Sequence, residues 1–210
     1  MTKSKIILDI ETKPRERDKT LQALLDYKMR NIVDVKEREA KEISYTFRNP
    51  IYTQVVCIGT LYVNAVEEVK EKVFFSKDNE EEVINSFMTY ISKFTGLFVH
   101  FNGLDFDVPI LLAKSAIYGI QPPQRFCNTI RFRSDPHYDI MQIFTNWGRF
   151  GNSLEELLIT FGIKNSKELL EGKNVLEFMK TRSNEDIVKY CMEDVRSTYE
   201  LYKKISKVYQ

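Results

Sequence analysis

The amino-acid sequence predicts an α/β fold in which a mixed central sheet is flanked by helices. Residues 5–10 form a short continuous apolar run, and two β-rich runs follow at 53–63 and 67–75. Segments with helical spacing then alternate with strand-like segments, and the chain ends in helices. A group of strands followed by alternating helices and strands is typical of a sheet with helices packed on it.

The first three runs are predicted to be strands of this sheet. β-Branched and aliphatic residues dominate residues 5–10, which is the pattern of a strand that is covered on both faces and is therefore central. The runs at 53–63 and 67–75 are separated only by residues 64–66, and this short spacing favours an antiparallel hairpin.

The middle of the chain predicts a helix, a strand and a second helix. Apolar side chains recur at helical spacing in residues 79–94, with acidic residues at the front. Residues 97–101 form the next apolar run and are predicted to be a strand. The pair Asn102-Gly103 then turns the chain into a helix that Gly119 ends.

The last part of the chain predicts a short strand around Tyr138 and three helices, at 153–161, at about 175–180 and at 184–207. Two of these helices begin with a serine that is followed three residues later by an acidic residue, which is the pattern of a capping box. The pairs are Ser153 with Glu156, and Ser183 with Asp186.

Residues 12–50 are inserted between the first two predicted strands, and charged residues dominate positions 18–41. We expect this insertion, at about 13–50, to be mostly helical and solvent-facing. Because it leaves the sheet directly after Glu11, we expect it to cover or flank a substrate groove. Residues 1–210 are otherwise expected to form one domain.

The composition gives no broad electrostatic attraction to nucleic acid. Lys and Arg number 31 against 30 Asp and Glu, for a formal net charge of +1, so any binding of phosphate must be local. The 3 cysteines form no Cys-x-x-Cys pair and are expected to be buried thiols in a reducing compartment. No apolar run reaches the length of a signal peptide core or a membrane span, so we expect a cytoplasmic protein without a membrane partner.

Two carboxylates in the first strand indicate a metal site. Asp9 and Glu11 are two residues apart, so their side chains leave the same face of a strand that is otherwise apolar. Two acids on one face repel each other, and a shared divalent cation offsets the cost of burying them. Chance is the alternative, because a chain of this composition contains about one such triplet at random, and Asp78 with Glu80 at a charged helix start is one.

The final helix carries another unusual acid. Asp194 lies in the middle of the apolar stripe of this helix, and Tyr190 lies one turn earlier on the same face. A buried aspartate whose hydrogen bonds are satisfied within the fold is the alternative interpretation. Asp107, directly before Val108-Pro109, matches an ordinary helix start, but a strand-to-helix turn can also lie at the same edge of the sheet as Asp9.

Three motifs that contain these acids occur in order along the chain. They are Asp9-Ile10-Glu11-Thr12, Asn102-Gly103-Leu104-Asp105-Phe106-Asp107 and Tyr190-Cys191-Met192-Glu193-Asp194. The second fits Asn-x-x-x-Phe-Asp and the third fits Tyr-x-x-x-Asp. From residue 5 to the C-terminus the chain thereby resembles the DEDD exonuclease superfamily, specifically the tyrosine subclass found in the proofreading domains of family B DNA polymerases. A palm and fingers do not fit in 210 residues, so the chain is most similar to stand-alone polymerase-B-like exonucleases.

The resemblance implies an RNase H-like fold and two divalent cations, Mg²⁺ or Mn²⁺. It implies that Asp9, Glu11 and Asp194 bind one cation, that Asp9 bridges to the second, and that Asp107 holds the second. The implied activity is metal-dependent 3′–5′ hydrolysis of DNA, single-stranded at its free 3′ end, with release of nucleoside monophosphates. Tyr190, with an ordinary pKa near 10, is a poor general base at neutral pH and is expected to orient the attacking water.

Other interpretations stay open at this point. RNase D-type exoribonucleases share the same acids and the tyrosine, and a binding module without catalysis would retain the fold. Asp139 is a candidate second acid behind the site, although no motif secures it. The basic and aromatic segment 125–133 offers phosphate contacts and stacking surfaces, or is solvated charge.

Overall fold

The computed structural model describes residues 3–148, 151–164 and 183–209, so the helix predicted at about 175–180 lies outside the described residues. Five strands form one sheet in the order β3-β2-β1-β4-β5. The strands are β1 (Lys5–Pro14), β2 (Thr53–Val63), β3 (Val69–Phe75), β4 (Leu97–His100) and β5 (His137–Asp139).

The sheet is mixed, as predicted, and β1 is its central strand. β1 pairs antiparallel with β2 and parallel with β4, so that Ile7 lies between Leu61 and Val99. The hairpin of β2 and β3 is confirmed, and β4 pairs parallel with β5. Because the apolar side chains of β1 are buried on both faces, the sheet requires helices on both sides.

Seven helices of the described residues surround the sheet, and they are numbered here in chain order. They are α1 (Lys19–Met29), α2 (Val35–Arg48), α3 (Glu80–Ile91), α4 (Asp107–Tyr118), α5 (Ile140–Phe144), α6 (Leu154–Thr160) and α7 (Asn184–Ile205). Both predicted capping boxes are present, at the starts of α6 and α7. Gly119 ends α4 with φ 68°, a left-handed conformation that glycine adopts without strain. None of these helices combines the length and the apolarity that crossing a bilayer requires.

The alternation of side chains along β1 separates two cores. Ile6 and Leu8 pack with α3 and α4 on one face, whereas Ile7 packs with α7 on the other. Because side chains alternate with a period of two, Asp9 and Glu11 leave β1 on the same face as Ile7, which is the α7 face. The fold thus directs both acids toward the helix that carries the third motif.

The insertion differs from the prediction in two ways. β1 continues to Pro14 through a bulge between Glu11 and Thr12, since residues 12–14 pair with the start of β2. The two helices that follow, α1 and α2, are not wholly solvent-facing, because Leu25 and Met29 are buried in a small core of their own. The insertion is helical as expected, but it starts later and packs against itself.

Gly59 allows α7 to approach the sheet closely. It pairs with Asp9 across the β1–β2 ladder. A Cβ atom at this position would lie 2.8 Å from the Sγ atom of Cys191 and 3.1 Å from the Sδ atom of Met192. The missing side chain therefore brings this turn of α7 against the part of β1 that carries the acids.

Gly59→Ala is expected to lower the free energy of unfolding by about 1–3 kcal/mol, because the added methyl group overpacks the contact with α7. Gly151→Ala is the matched control, since a Cβ atom there meets nothing within 4 Å, and it makes the same change to the unfolded chain. Urea denaturation of both variants measures the difference. Equal stability of the two variants would show that α7 does not depend on close packing at Gly59.

Candidate active site

Asp9 and Glu11 lie next to a third ligand-type side chain, Cys191 of α7. One ligand atom of each residue lies within 4.8 Å of the others, and this is the group of potential metal ligands found among the described residues. Asp9 and Glu11 are partly buried, and Cys191 is fully buried. The predicted convergence of the first motif with the helix of the third motif is therefore present, through a residue that the sequence analysis expected only to be buried.

The Cys191 thiol acts as a donor toward Asp9. Its Sγ atom lies 3.5 Å from the backbone oxygen of Asp9 and 3.9 Å from the Oδ2 atom. The neighbouring Cys57 thiol, burial, and the charges of Asp9 and Glu11 raise the pKa of Cys191 well above its usual range. The thiol is thus protonated, and hard cations prefer the oxygen ligands beside it. Cys57 is also buried, but Cys127 is exposed, so the prediction that all cysteines are buried is wrong for Cys127.

Asp107 begins α4 and is held against the middle of β1, beyond the last residue that pairs with β4. Its Oδ1 atom accepts a hydrogen bond of 3.1 Å from the backbone N–H of Ile10, the residue between Asp9 and Glu11. β4 pairs with β1 only as far as Ile7, so this carboxylate satisfies a backbone donor beyond the end of the shorter strand. Asp107 is 3% exposed, and burial raises its pKa to about 7.

Tyr190 and Asp194 lie one turn apart on α7, on either side of Cys191 along the chain. The predicted apolar stripe is confirmed, since its other members Ile187, Cys191, Thr198, Leu201 and Ile205 are all buried. Tyr190 and Asp194 are themselves partly buried. The contact between Cys191 and Asp9 places this turn of α7 against the part of β1 that carries the acids. The roles of Tyr190 and Asp194 stay predictions.

Asp139 fixes the loop of the second motif. The side chain is fully buried at the end of β5 and accepts hydrogen bonds from the backbone N–H groups of Asn102 at 3.0 Å and Leu104 at 2.9 Å. It also caps α5 by accepting from the N–H of Gln142 at 3.2 Å. Since this loop leads directly into Asp107, Asp139 supports the site from behind.

A buried pair of histidines extends from Asp139 into the core. His137 Nε2 lies 3.0 Å from the carbonyl oxygen of Phe126, and His137 Nδ1 lies 3.2 Å from His100 Nε2. Burial and the neighbouring His100 lower the pKa of His137 to about 3, so this ring is neutral and donates its one proton to the Phe126 carbonyl oxygen. The Nδ1 atom of His137 therefore accepts the Nε2 proton of His100.

The remaining nitrogen of His100 faces a carboxylate. His100 Nδ1 lies 3.4 Å from Asp139 Oδ2, which is an ion-pair contact and not a hydrogen bond. Burial alone would raise the pKa of Asp139, but His100 and the backbone donors outweigh it and hold that pKa below its ordinary value.

Neither His100 nor His137 was predicted from the sequence to support the site. The available signal was His100 at the end of the otherwise apolar strand β4, because buried polar side chains require partners. The close packing of this corner shows in Gly103, where a Cβ atom would lie 2.5 Å from the His100 ring.

Glu80 has a structural role that the charged helix start did not reveal. It is buried, and its carboxylate accepts hydrogen bonds from Lys114 at 3.0 Å, Tyr118 at 2.6 Å and the backbone N–H of Val55 at 2.6 Å. These contacts join α3, α4 and β2. Asp78 is exposed, and neither acid belongs to a group of potential metal ligands in the described part of the chain.

A groove opens on Glu11 between α2 and the second-motif loop. Its volume is about 590 Å³, and its lining includes Glu11 from β1, Phe47 and Arg48 from α2, and Asn102 and Asp105 from the loop. The insertion therefore flanks a groove beside the acids. The expectation from the sequence was that the insertion covers or flanks a substrate groove.

The basic and aromatic segment divides into two parts. Arg125 donates to the Gly96 carbonyl oxygen at 2.9 Å and to Asp135 at 2.8 Å, and Phe126 is fully buried, so both are structural. Arg131 lies 3.5 Å from Asp105 at the groove, and Phe132 is exposed. Of these residues, only Arg131 and Phe132 therefore remain available to contact a substrate.

The sequence and the fold were compared with known proteins. Residues 45–209 match a family model described as a predicted 3′–5′ exonuclease related to the exonuclease domain of PolB. The matched range contains Asp107, Tyr190 and Asp194, whereas Asp9 and Glu11 precede it. No curated protein matches the sequence.

Two solved structures illustrate the likeness of the fold. The family B DNA polymerase from the hyperthermophilic archaeon Pyrobaculum calidifontis aligns with 98% of this chain at TM-score 0.63 and 19% identity. E. coli exonuclease I in complex with a dT13 oligonucleotide aligns with 100% of this chain at TM-score 0.54 and 12% identity. This chain spans 25% of the polymerase and 42% of exonuclease I. The expected RNase H-like fold is confirmed.

Asp139→Asn is expected to lower the free energy of unfolding by about 1–3 kcal/mol, because an amide nitrogen replaces one of the buried oxygen atoms that accept from the backbone N–H groups of Asn102 and Leu104. The half-exposed Asp135 pairs with Lys3 and Arg125, and Asp135→Asn is the control with an expected cost below about 1 kcal/mol. Because the pKa of Asp139 lies below its ordinary value, its contribution is present at neutral pH. Denaturation curves should show the gap between wild type and Asp139→Asn narrowing as the pH falls below about 4, and a gap that stays constant would contradict the ion pair.

Proposed function

The chain belongs to the family of predicted 3′–5′ exonucleases related to the exonuclease domain of PolB, and on this premise we propose that it removes nucleotides from the 3′ end of single-stranded DNA with two divalent cations. The observation that carries the proposal is the meeting of Asp9, Glu11 and Asp107 at the middle of β1, beside a groove. The groove has a volume of about 590 Å³, which lies within the usual range of ligand sites, and Glu11 lies in its lining.

The side chains at the site fit a divalent cation. Asp9 and Glu11 offer oxygen atoms close together, and the buried Asp107 carboxylate is costly to ionise without a nearby cation. We assign Asp9, Glu11 and Asp194 to one cation and Asp9 with Asp107 to the other. When bound, two such cations lower the pKa of a water and neutralise charge on the phosphate.

The remaining residues of the site orient these groups. The Cys191 thiol donates to Asp9 and restricts the rotation of its carboxylate. Asp139 holds the loop that ends at Asp107. The Tyr190 hydroxyl positions the attacking water in line with the scissile bond, a role that needs a hydrogen bond and no proton abstraction.

Asp9→Asn is expected to reduce release of mononucleotides from a single strand by about 10³-fold or more, because cation contributions worth several kcal/mol are lost. The protein should stay folded, since removing one of several clustered carboxylates relieves repulsion. Asp78→Asn changes the other Asp-x-Glu triplet and should retain full activity. Reaction products are quantified by chromatography with Mg²⁺ and with a chelator, on matched DNA and RNA strands.

The outcomes of this experiment separate the alternatives. Chelator-sensitive release from DNA that Asp9→Asn abolishes supports the proposal. Faster release from RNA would assign the enzyme to exoribonucleases instead. Near-normal activity of Asp9→Asn would overturn the cation assignment.

Tyr190→Phe is expected to lower the single-turnover rate by about 10²–10³-fold while Mg²⁺ affinity stays the same, because only a water-positioning hydroxyl is removed. Asp194→Asn is the comparison, and it should weaken Mg²⁺ binding as well as the rate. Rapid-quench kinetics at saturating Mg²⁺ and metal titrations measure both quantities. A full rate for Tyr190→Phe would reduce Tyr190 to a packing residue.

A further inference from the structure

Two aromatic rings meet on the surface outside the groove. The ring centroids of Phe132 and Trp147 are 5.3 Å apart with an interplanar angle of 49°. Phe132 is 75% exposed, so the fold gains little from burying it. Trp147 is partly buried and is the single tryptophan of the chain.

The backbone holds both residues in a conformation that bulky side chains rarely adopt. Phe132 has φ 63° and Trp147 has φ 59°. The left-handed region costs a residue with a Cβ atom about 1–2 kcal/mol, and such strain collects where ligands are contacted. Phe132 is exposed and Trp147 only partly buried, so burial in the core does not account for the strain at this pair.

Both aromatic residues are connected to one residue of the groove, Asp105. Arg131, which precedes Phe132, lies 3.5 Å from the Asp105 carboxylate. Gln142 donates from its side chain to Asp105 at 2.6 Å, and its backbone oxygen accepts from the N–H of Trp147 at 2.7 Å. The pair is thus positioned relative to the groove by two separate routes.

We propose that Phe132 and Trp147 form a stacking platform for the unpaired bases that lie 5′ of the nucleotide in the active site, with Arg131 and Arg133 contacting the phosphates. This inference rests on the proposed function. Every base has a π-face, so aromatic side chains bind single strands without reading their sequence. Arg131 and Arg133 are exposed and supply local positive charge on a chain whose net charge is only +1.

The platform selects for unpaired strands. In a duplex the base faces are already stacked on each other and do not reach side chains outside the helix. The platform therefore supplies a physical reason for a preference for single-stranded DNA, which the acids alone do not supply.

Trp147 reports directly on this contact. Binding of dT oligonucleotides to the full chain is followed with the metal chelated, by Trp147 fluorescence and independently by the anisotropy of a labelled oligonucleotide. Stacking should quench the fluorescence. Phe132→Ala and Phe132→Leu should both weaken binding by about 5- to 150-fold, which corresponds to one lost stacking contact, whereas Phe132→Trp should retain it.

Ile130→Ala is the matched control, because Ile130 is an exposed apolar residue two positions away, and it should bind normally. Abasic sites near the 3′ end should weaken binding to wild type but not further to Phe132→Ala. Additive losses, normal binding by Phe132→Leu, or binding without a change in Trp147 fluorescence would overturn the platform. Hydrolysis of the p-nitrophenyl ester of thymidine 5′-phosphate by the wild type, a substrate that presents no upstream bases, tests the proposed function separately from the platform. Failure of the wild type to hydrolyse this ester would count against the proposed function and not against the platform.

Discussion

Two carboxylates leave the central strand on the face that α7 covers, and the surrounding structure accommodates this unfavourable placement. Asp9 and Glu11 repel each other and lie beside the fully buried Cys191 of α7, where desolvation is expensive. Gly59 opposite Asp9 lets α7 approach, and the Cys191 thiol donates to Asp9. The oxygen atoms of Asp9 and Glu11 lie close enough together to fit a divalent cation, and binding of such a cation would offset the cost of this placement.

The second motif depends on a different interaction, the buried ion pair behind its loop. Asp139 binds two backbone N–H groups of the loop and faces His100, whose other nitrogen continues the hydrogen-bonded chain to His137. This network fixes the loop from the interior, so that Asp107 reaches the edge of β1 on a rigid support. Groups that hold cations require such support, because a carboxylate displaced by an ångström binds more weakly.

Much of the fold could be predicted because local patterns determine it. The apolar run of β1, the hairpin, the capping boxes and Gly119 all act through neighbouring residues, and each is confirmed. Features that depend on contacts between residues far apart in the sequence were not predicted. The extension of β1 to Pro14 depends on a bulge and on pairing with β2, and the burial of Glu80 depends on Lys114 from another helix. At the site the acids were visible as polar residues in apolar patterns, whereas the Cys191 contact requires the packing distance at Gly59.

We propose that the acids around the middle of β1 form one site for two divalent cations. Anomalous diffraction from crystals grown with Mn²⁺ and a short deoxyoligonucleotide tests it most directly, because the anomalous signal locates each ion independently of the interpretation of the side chains. Two peaks that both contact Asp9 are expected, one shared with Glu11 and Asp194 and the other with Asp107. A single ion bound by Cys191, or ions that leave Asp9 without a contact, would contradict it.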